Sequence, residues 1–260
     1  MKVGRDFAGR QLLGSRKAQE DSYAFSIIAD TAEGDVEKLL VVIADGLGGH
    51  SAGQKASQIA VESFVEEFFQ HKPTLHSNDA FALHESLTYA NERIAQSIDD
   101  SPGELSGMGT TLLAATVSRT RLQWISVGDS PLFFYRGHTL HRLNADHSMR
   151  PFLASEIAKG KLPPEALAVH PQRNVIRSAL LGEDIPLIDA PATPFSLEAG
   201  DVMLFASDGL QVLDEASIAA HLAQSQGMTA PQLIRSFFDS ITELDNPKQD
   251  NVTIAAVFAG

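Results

Sequence analysis

Leu39-Leu40-Val41-Val42-Ile43-Ala44-Asp45-Gly46-Leu47-Gly48-Gly49-His50-Ser51-Ala52-Gly53 is the stretch on which the fold turns. Its first six residues form an apolar, β-branched run that stops abruptly at Asp45-Gly46, as a buried strand does. From Ala52 the apolar spacing becomes helical, through Ile59, Ala60, Phe64 and Phe68, and predicts a helix to Phe69. A glycine-rich turn between strand and helix can cradle phosphate on backbone N–H groups. This turn is not a Walker loop, because no Gly-Lys-Ser/Thr follows it. Nor is it a dinucleotide fingerprint, because Ser51 stands where the third glycine belongs.

Outward from there, Ser22 to Ala29 alternates like a strand, and Asp79 to Ile98 repeats helical spacing through Leu83, Leu87, Ala90 and Ile94. Thr110 to Ser118, Leu122 to Val127 and Leu132 to Tyr135 follow as strands separated by short polar turns that suit antiparallel hairpins. Residues 148–185 read as short helices and loops. Strands are expected again at Ile185 to Ala190, Val202 to Ala206 and Val252 to Phe258, with helices at Glu215 to Ala223 and Ala230 to Leu244. Strands bunched with strands and helices with helices predict an α+β domain over residues 1–260. The simplest packing is a four-layer α-β-β-α sandwich of two antiparallel sheets flanked by helices.

The 260 residues carry 20 Lys+Arg against 33 Asp+Glu, a formal charge of −13. That balance argues against nonspecific nucleic-acid binding, which needs a basic surface to displace counterions. Cysteine is absent, so disulfides, thiolate metal sites and cysteine nucleophiles are excluded, and any metal must sit on oxygen or imidazole ligands. The N-terminus lacks an apolar h-region, and apolar runs stop at about six residues against the ~20 of a membrane span. A cytoplasmic protein with no membrane partner is expected.

The chemistry concentrates in acids beside strands. Asp45 ends the run from Leu39, Asp208 ends Val202 to Ser207, Asp250 opens Val252 to Val257, Glu20-Asp21 precedes Ser22, and Asp129 follows Val127. One Asp-Gly after a strand is an ordinary turn. Several acids at rigid strand ends can instead converge on one hard divalent cation.

In motif order the chain resembles the metal-dependent type 2C Ser/Thr protein phosphatases in their compact bacterial form, from about Arg5 to Phe258. The pieces are Arg16 to Ser22, Asp45 to Gly53, Gly109-Thr110-Thr111, Val127-Gly128-Asp129-Ser130, Asp146-His147-Ser148, Ser207-Asp208-Gly209-Leu210 and Asp250-Asn251-Val252-Thr253. The resemblance implies hydrolysis of phosphoserine and phosphothreonine in a protein, opposite a bacterial Ser/Thr kinase, by water activated at two Mg²⁺ or Mn²⁺ ions. It implies that Asp45 bridges the ions, that the Gly46 carbonyl, Asp208 and Asp250 also bind metal, and that Glu20 holds metal-bound waters. Arg16 would grip the substrate phosphate and Asp129 would serve a third, looser metal. Two ions clamping a phosphoryl group, with a guanidinium forked onto its oxygens, is chemically sufficient without a covalent nucleophile.

Three positions depart from the family pattern. Gln19 replaces an asparagine, Pro131 replaces an arginine, and Val212 replaces an aspartate that would partner Asp129. The third metal is therefore expected to be weak, absent or rescued by Asp214. His50 is the candidate general acid, whereas His147 reads as structural, as do the hydroxyls of Thr110 and Thr111. Residues 149–185 match the family's variable flap and are expected to set substrate choice. The protein is expected to act as a monomer, without an attached sensor, receiver or membrane segment. The alternatives are an inactive phosphoprotein-binding module of the same fold and the phosphatase branch acting on anti-sigma-factor antagonists.

Overall fold

The continuous apolar runs become strands buried on both faces, and their alternate residues build different layers. In the computed structural model, which describes residues 1–48, 50–101, 103 and 105–260, with only the backbone of His50, the elements run as follows. Strands β1 (Phe7–Leu12), β2 (Asp21–Asp30) and β3 (Val36–Leu47) precede helices α1 (His50–Gln70) and α2 (Ala80–Asp100). Then come β4 (Gly109–Thr110), β5 (Leu112–Ser118), β6 (Arg121–Val127), β7 (Leu132–Arg136), β8 (Thr139–Arg142), α3 (Arg150–Ala158) and α4 (Ala166–Val169). The chain ends with β9 (Phe195–Ser196), β10 (Val202–Ala206), α5 (Glu215–Ala223), α6 (Ala230–Glu243) and β11 (Val252–Phe258).

One sheet has the order β1-β11-β10-β7-β8. The other has β2-β3-β5-β6-β9, with β4 on the end of β3, and the pairings are antiparallel. In β3, Leu40, Val42 and Ala44 face Ala56, Phe64 and Phe68 of α1 and Leu83 and Leu87 of α2. Leu39, Val41 and Ile43 face the opposite sheet, against Met203 and Phe205 of β10 and Ala255 and Val257 of β11. The outer faces of those strands, through Leu204, Ile254 and Ala256, meet Ile218 of α5 and Leu233 and Phe237 of α6. This is the expected α-β-β-α stack. Truncating any of these fully buried large side chains costs on the order of 2–5 kcal/mol.

Lys38 interrupts the apolar face of β3 and is itself buried. Its Nζ lies 2.5 Å from Asp79 Oδ2 and donates to the Thr74 carbonyl (2.8 Å) and Ser77 Oγ (3.2 Å), tying the α1–α2 connection to the sheet. Asp79 also accepts from Thr116 Oγ1 of β5 (2.8 Å).

One expected strand is absent. Ile185 to Ala190 makes only an isolated bridge, Ser126 to Asp189, and the sheet is completed instead by Phe195–Ser196 on β6. Pro186 lacks a ladder donor, and the segment is held by a side chain: Asp189 Oδ2 accepts from Trp124 Nε1 (2.9 Å) and from the Ala145 N–H (3.0 Å). The strand expected over Thr110 to Ser118 is broken at Thr111, and β1 and β8 add edges not foreseen. Among the described residues no helix is long and apolar enough to cross a membrane.

Candidate active site

One edge of the sandwich gathers the acids. Antiparallel pairing sets Asp21 directly across from Asp45. The neighbouring ends of β10 and β11 bring Asp208 and Asp250 from the other sheet, and the β6–β7 turn brings Asp129.

Asp45 is fixed by its own backbone. Its N–H donates to Thr111 Oγ1 (3.0 Å), and its carbonyl accepts from the Thr111 N–H and Thr110 Oγ1 (2.9 Å each), so both hydroxyls are structural as read. Gly46 follows because no side chain fits: a Cβ there would penetrate the Gly53 carbonyl and stand 2.6 Å from the Glu20 carbonyl. Gly209 obeys the same restriction against the Asn251 carbonyl, which explains Asp-Gly at both places.

The residues around these acids stitch the two sheets together. Asp21 Oδ2 accepts from Ser207 Oγ and Thr253 Oγ1, both at 2.7 Å. The Glu20 N–H donates to Asn251 Oδ1 (2.8 Å), and Asn251 Nδ2 donates to the Leu13 carbonyl (2.9 Å). The buried Glu20 carboxylate lies against the first turn of α1, where a Cβ on Gly53 would come within 2.5 Å of Oε2.

These carboxyls oppose one another's ionisation. Burial, then the charges of Asp208, Asp21, Asp129 and Asp250, holds Asp45 well above the usual carboxylate range. Burial and Asp250 raise Asp208, which also accepts a hydrogen bond from Asp45. Burial pushes Asp129 up to about 7, with Asp208 and Asp146 adding to it and Arg142 opposing. Burial pushes Asp21 up to about 6 against the hydrogen bonds from Thr253 and Ser207.

Among the described residues no three Asp, Glu or His side chains are already drawn into ion-binding geometry. The donor chemistry still fits hard divalent cations. It is all oxygen, its charges repel, and Asp129 Oδ1 is buried without a hydrogen-bond partner.

Guanidiniums border the acids. Arg16, half-exposed, places Nη2 2.6 Å from Asp250 Oδ2. Arg142, unforeseen from the sequence, donates from Nη2 to the Asp129 carbonyl (2.8 Å) and from Nη1 to Asp146 Oδ2 (3.2 Å). Arg150, at the start of α3, acts on Asp208 with a charge that favours its ionised form. No local pattern marks Arg142, which sits on an edge strand thirteen residues from the acid it serves.

Val212 packs beside the α5–α6 core. Asp214, the expected substitute for the missing aspartate, is the exposed N-cap of α5 and accepts from the Ser217 N–H at 2.8 Å. His147 is buried and accepts the Gly128 N–H at Nδ1 (3.2 Å), a structural role. The side chain of His50 and all of Gly49 lie outside the described residues.

A family model for protein phosphatase 2C matches residues 8–251. The chain is 32% identical over 173 residues to the serine/threonine phosphatase stp of Listeria monocytogenes serotype 4b, covering 66% of each chain. It is 32% identical over 218 residues to the serine/threonine protein phosphatase PstP of Mycobacterium tuberculosis, covering 83% of this chain and 39% of that protein. The chain therefore spans just under two thirds of the first relative and well under half of the second. A crystal structure of the M. tuberculosis PstP superposes with a TM-score of 0.78 at 27% identity, over 98% of both chains.

Proposed function

The chain belongs to the protein phosphatase 2C family, and from that premise we propose that it is a metal-dependent phosphatase of phosphoserine and phosphothreonine in proteins. The observation that carries the reading is the meeting of Asp45, Asp208, Asp129 and Asp21 at one sandwich edge, each raised by burial. A catalytically inactive module would have no need to keep so costly a cluster, and the relatives do not favour one.

In this reading Asp45, the Gly46 carbonyl, Asp208 and Asp250 would hold Mn²⁺ or Mg²⁺, and Glu20 would hold water bound to the metal. Asp129 would serve a further ion, held weakly because the Val212 side chain offers no oxygen. When bound, such ions neutralise phosphoryl charge and acidify the attacking water. The protein contributes rigidity: Thr110 and Thr111 clamp the Asp45 backbone, and Asp21 locks β2 to β10 and β11, so the acids cannot spread apart as charge changes. Arg16, already at the rim, exchanges Asp250 for the phosphate oxygens and orients them with its planar fork. We place the protein opposite a bacterial Ser/Thr kinase, as a cytoplasmic monomer.

The test is hydrolysis of p-nitrophenyl phosphate and of a phosphothreonine peptide, with and without Mn²⁺, beside Asp208→Ala. Turnover that requires metal and disappears with EDTA or with the substitution is expected. Equal turnover in EDTA, or none from folded, metal-loaded protein, overturns the reading.

A further inference from the structure

The outer edge of β2 is unclaimed where it leaves the acids. Because Thr110 and Thr111 engage the Asp45 backbone from β3's far side, Asp21 and Asp45 form a pair without mutual backbone bonds. The Asp21 N–H and carbonyl accordingly point outward, to Gln19 Oε1 (3.1 Å) and from Gln11 Nε2 (3.0 Å). By the period of a strand, Tyr23 and Phe25 present their N–H and carbonyl groups outward too. Among the described residues no strand pairs with β2 on that side.

Beside this edge lies a groove of about 720 Å³ between Ser22–Ala24 and the stripe Gln54, Gln58, Glu62 and Glu66 on α1. It opens at Asp21 and Gln19, next to the acidic site. The twelve helical rises from Gln54 to Glu66 make it about 18 Å long, room for about five residues of extended chain. No Lys or Arg lines it, and Glu62 and Glu66 are exposed, with no ion pair among the described residues.

We propose that this groove receives the substrate segment adjoining the phosphorylated residue, as an extended strand added to β2, and that Glu62 and Glu66 select a basic side chain four to five residues from the phosphate. The proposal rests on the phosphatase reading above for its substrate and on the groove for its specificity. Backbone groups of Tyr23 and Phe25 supply sequence-independent affinity, the glutamines bond peptide amides, and the glutamates supply charge preference.

The experiment compares nine-residue phosphothreonine peptides bearing Arg or Glu four to five residues to either side of the phosphate. The enzymes are wild type and E62K/E66K, with p-nitrophenyl phosphate as the reference substrate. On one side of the phosphate, wild type favours the basic peptide. The double reversal lowers kcat/KM for that peptide by roughly three- to tenfold at low salt, leaves p-nitrophenyl phosphate hydrolysis unchanged, and helps the acidic peptide. Methylating alternate peptide amides slows turnover in one phase only, as an added strand requires. Indifference to flank charge in both proteins, with p-nitrophenyl phosphate still hydrolysed, overturns the groove and spares the phosphatase. If nothing is hydrolysed, fluorescence anisotropy of the labelled basic and acidic peptides still decides the groove: equal binding overturns it. A changed sedimentation coefficient in the double variant assigns the groove to a second copy of the chain and overturns it as well.

Discussion

Replacing Asp21 by Asn tests the electrostatic picture of the site without touching an assigned ligand. Burial raises the Asp21 carboxyl from 3.8 to about 6, so its ionisation costs more in the folded protein than in the unfolded chain. The cost begins as pH rises through 3.8, grows until about 6 and is constant above. A separation of about two units corresponds to roughly 3 kcal/mol, of which about 1.4 kcal/mol accrues between pH 5 and pH 8. Asn cannot ionise, yet it keeps an acceptor for Ser207 or Thr253, whose hydroxyls each lie 2.7 Å from Asp21 Oδ2. The assay is urea unfolding of both proteins in EDTA at the two pH values. Asp45 loses one repelling neighbour in the variant, so its own ionisation becomes easier there and moves the difference in the same direction. Wild type should lose about 1.4 kcal/mol relative to Asp21→Asn on going from pH 5 to pH 8. Saturating Mn²⁺ should shrink that loss, because a nearby cation favours the ionised carboxylate. Parallel stabilities at the two pH values, without metal, would refute the claim that this carboxyl is held protonated by burial.

Gly46→Ala must push a methyl into the Gly53 and Glu20 carbonyls, so it should cost about 1–3 kcal/mol and abolish turnover, read by thermal unfolding and p-nitrophenyl phosphate hydrolysis. Lys38→Met leaves Asp79 buried without its cation and should destabilise by about 3–5 kcal/mol; adding Asp79→Leu should return much of this in the same unfolding assay. Asp214→Ala removes the α5 cap and should cost about 1 kcal/mol of stability while leaving kcat and Mn²⁺ dependence unchanged; a lower apparent Mn²⁺ affinity would restore it to the metal site.

The sequence was legible where burial was two-sided. Leu39 to Ala44, Val202 to Ala206 and Val252 to Phe258 are continuous apolar runs because odd residues pack between the sheets while even ones pack under helices. That pattern announces a strand covered on both faces. The edges were illegible for the opposite reason. Phe7–Leu12 pairs on one side only, with Gly9 lying under the Tyr23 ring, and Thr139–Arg142 is largely exposed, so neither carries an apolar signature. Ile185 to Ala190 looked like a strand by composition, but Asp189 anchors it through its carboxylate, an interaction no periodicity encodes.

The same distinction divides the site. Asp45, Asp208 and Asp250 could be read because a strand end and its turn occupy consecutive residues, each followed by a recognisable partner. Asp21 bonding Ser207 and Thr253, and Arg142 bonding Asp129, join positions that only folding brings together. The acids of the candidate site are thus local in sequence, whereas the groups that hold them in place against their own repulsion are not. A catalytic motif is for that reason easier to read than its strength. The exposed β2 edge belongs with the second kind: its outward direction follows from Thr110 and Thr111, some 65 residues beyond the Asp45 they fix.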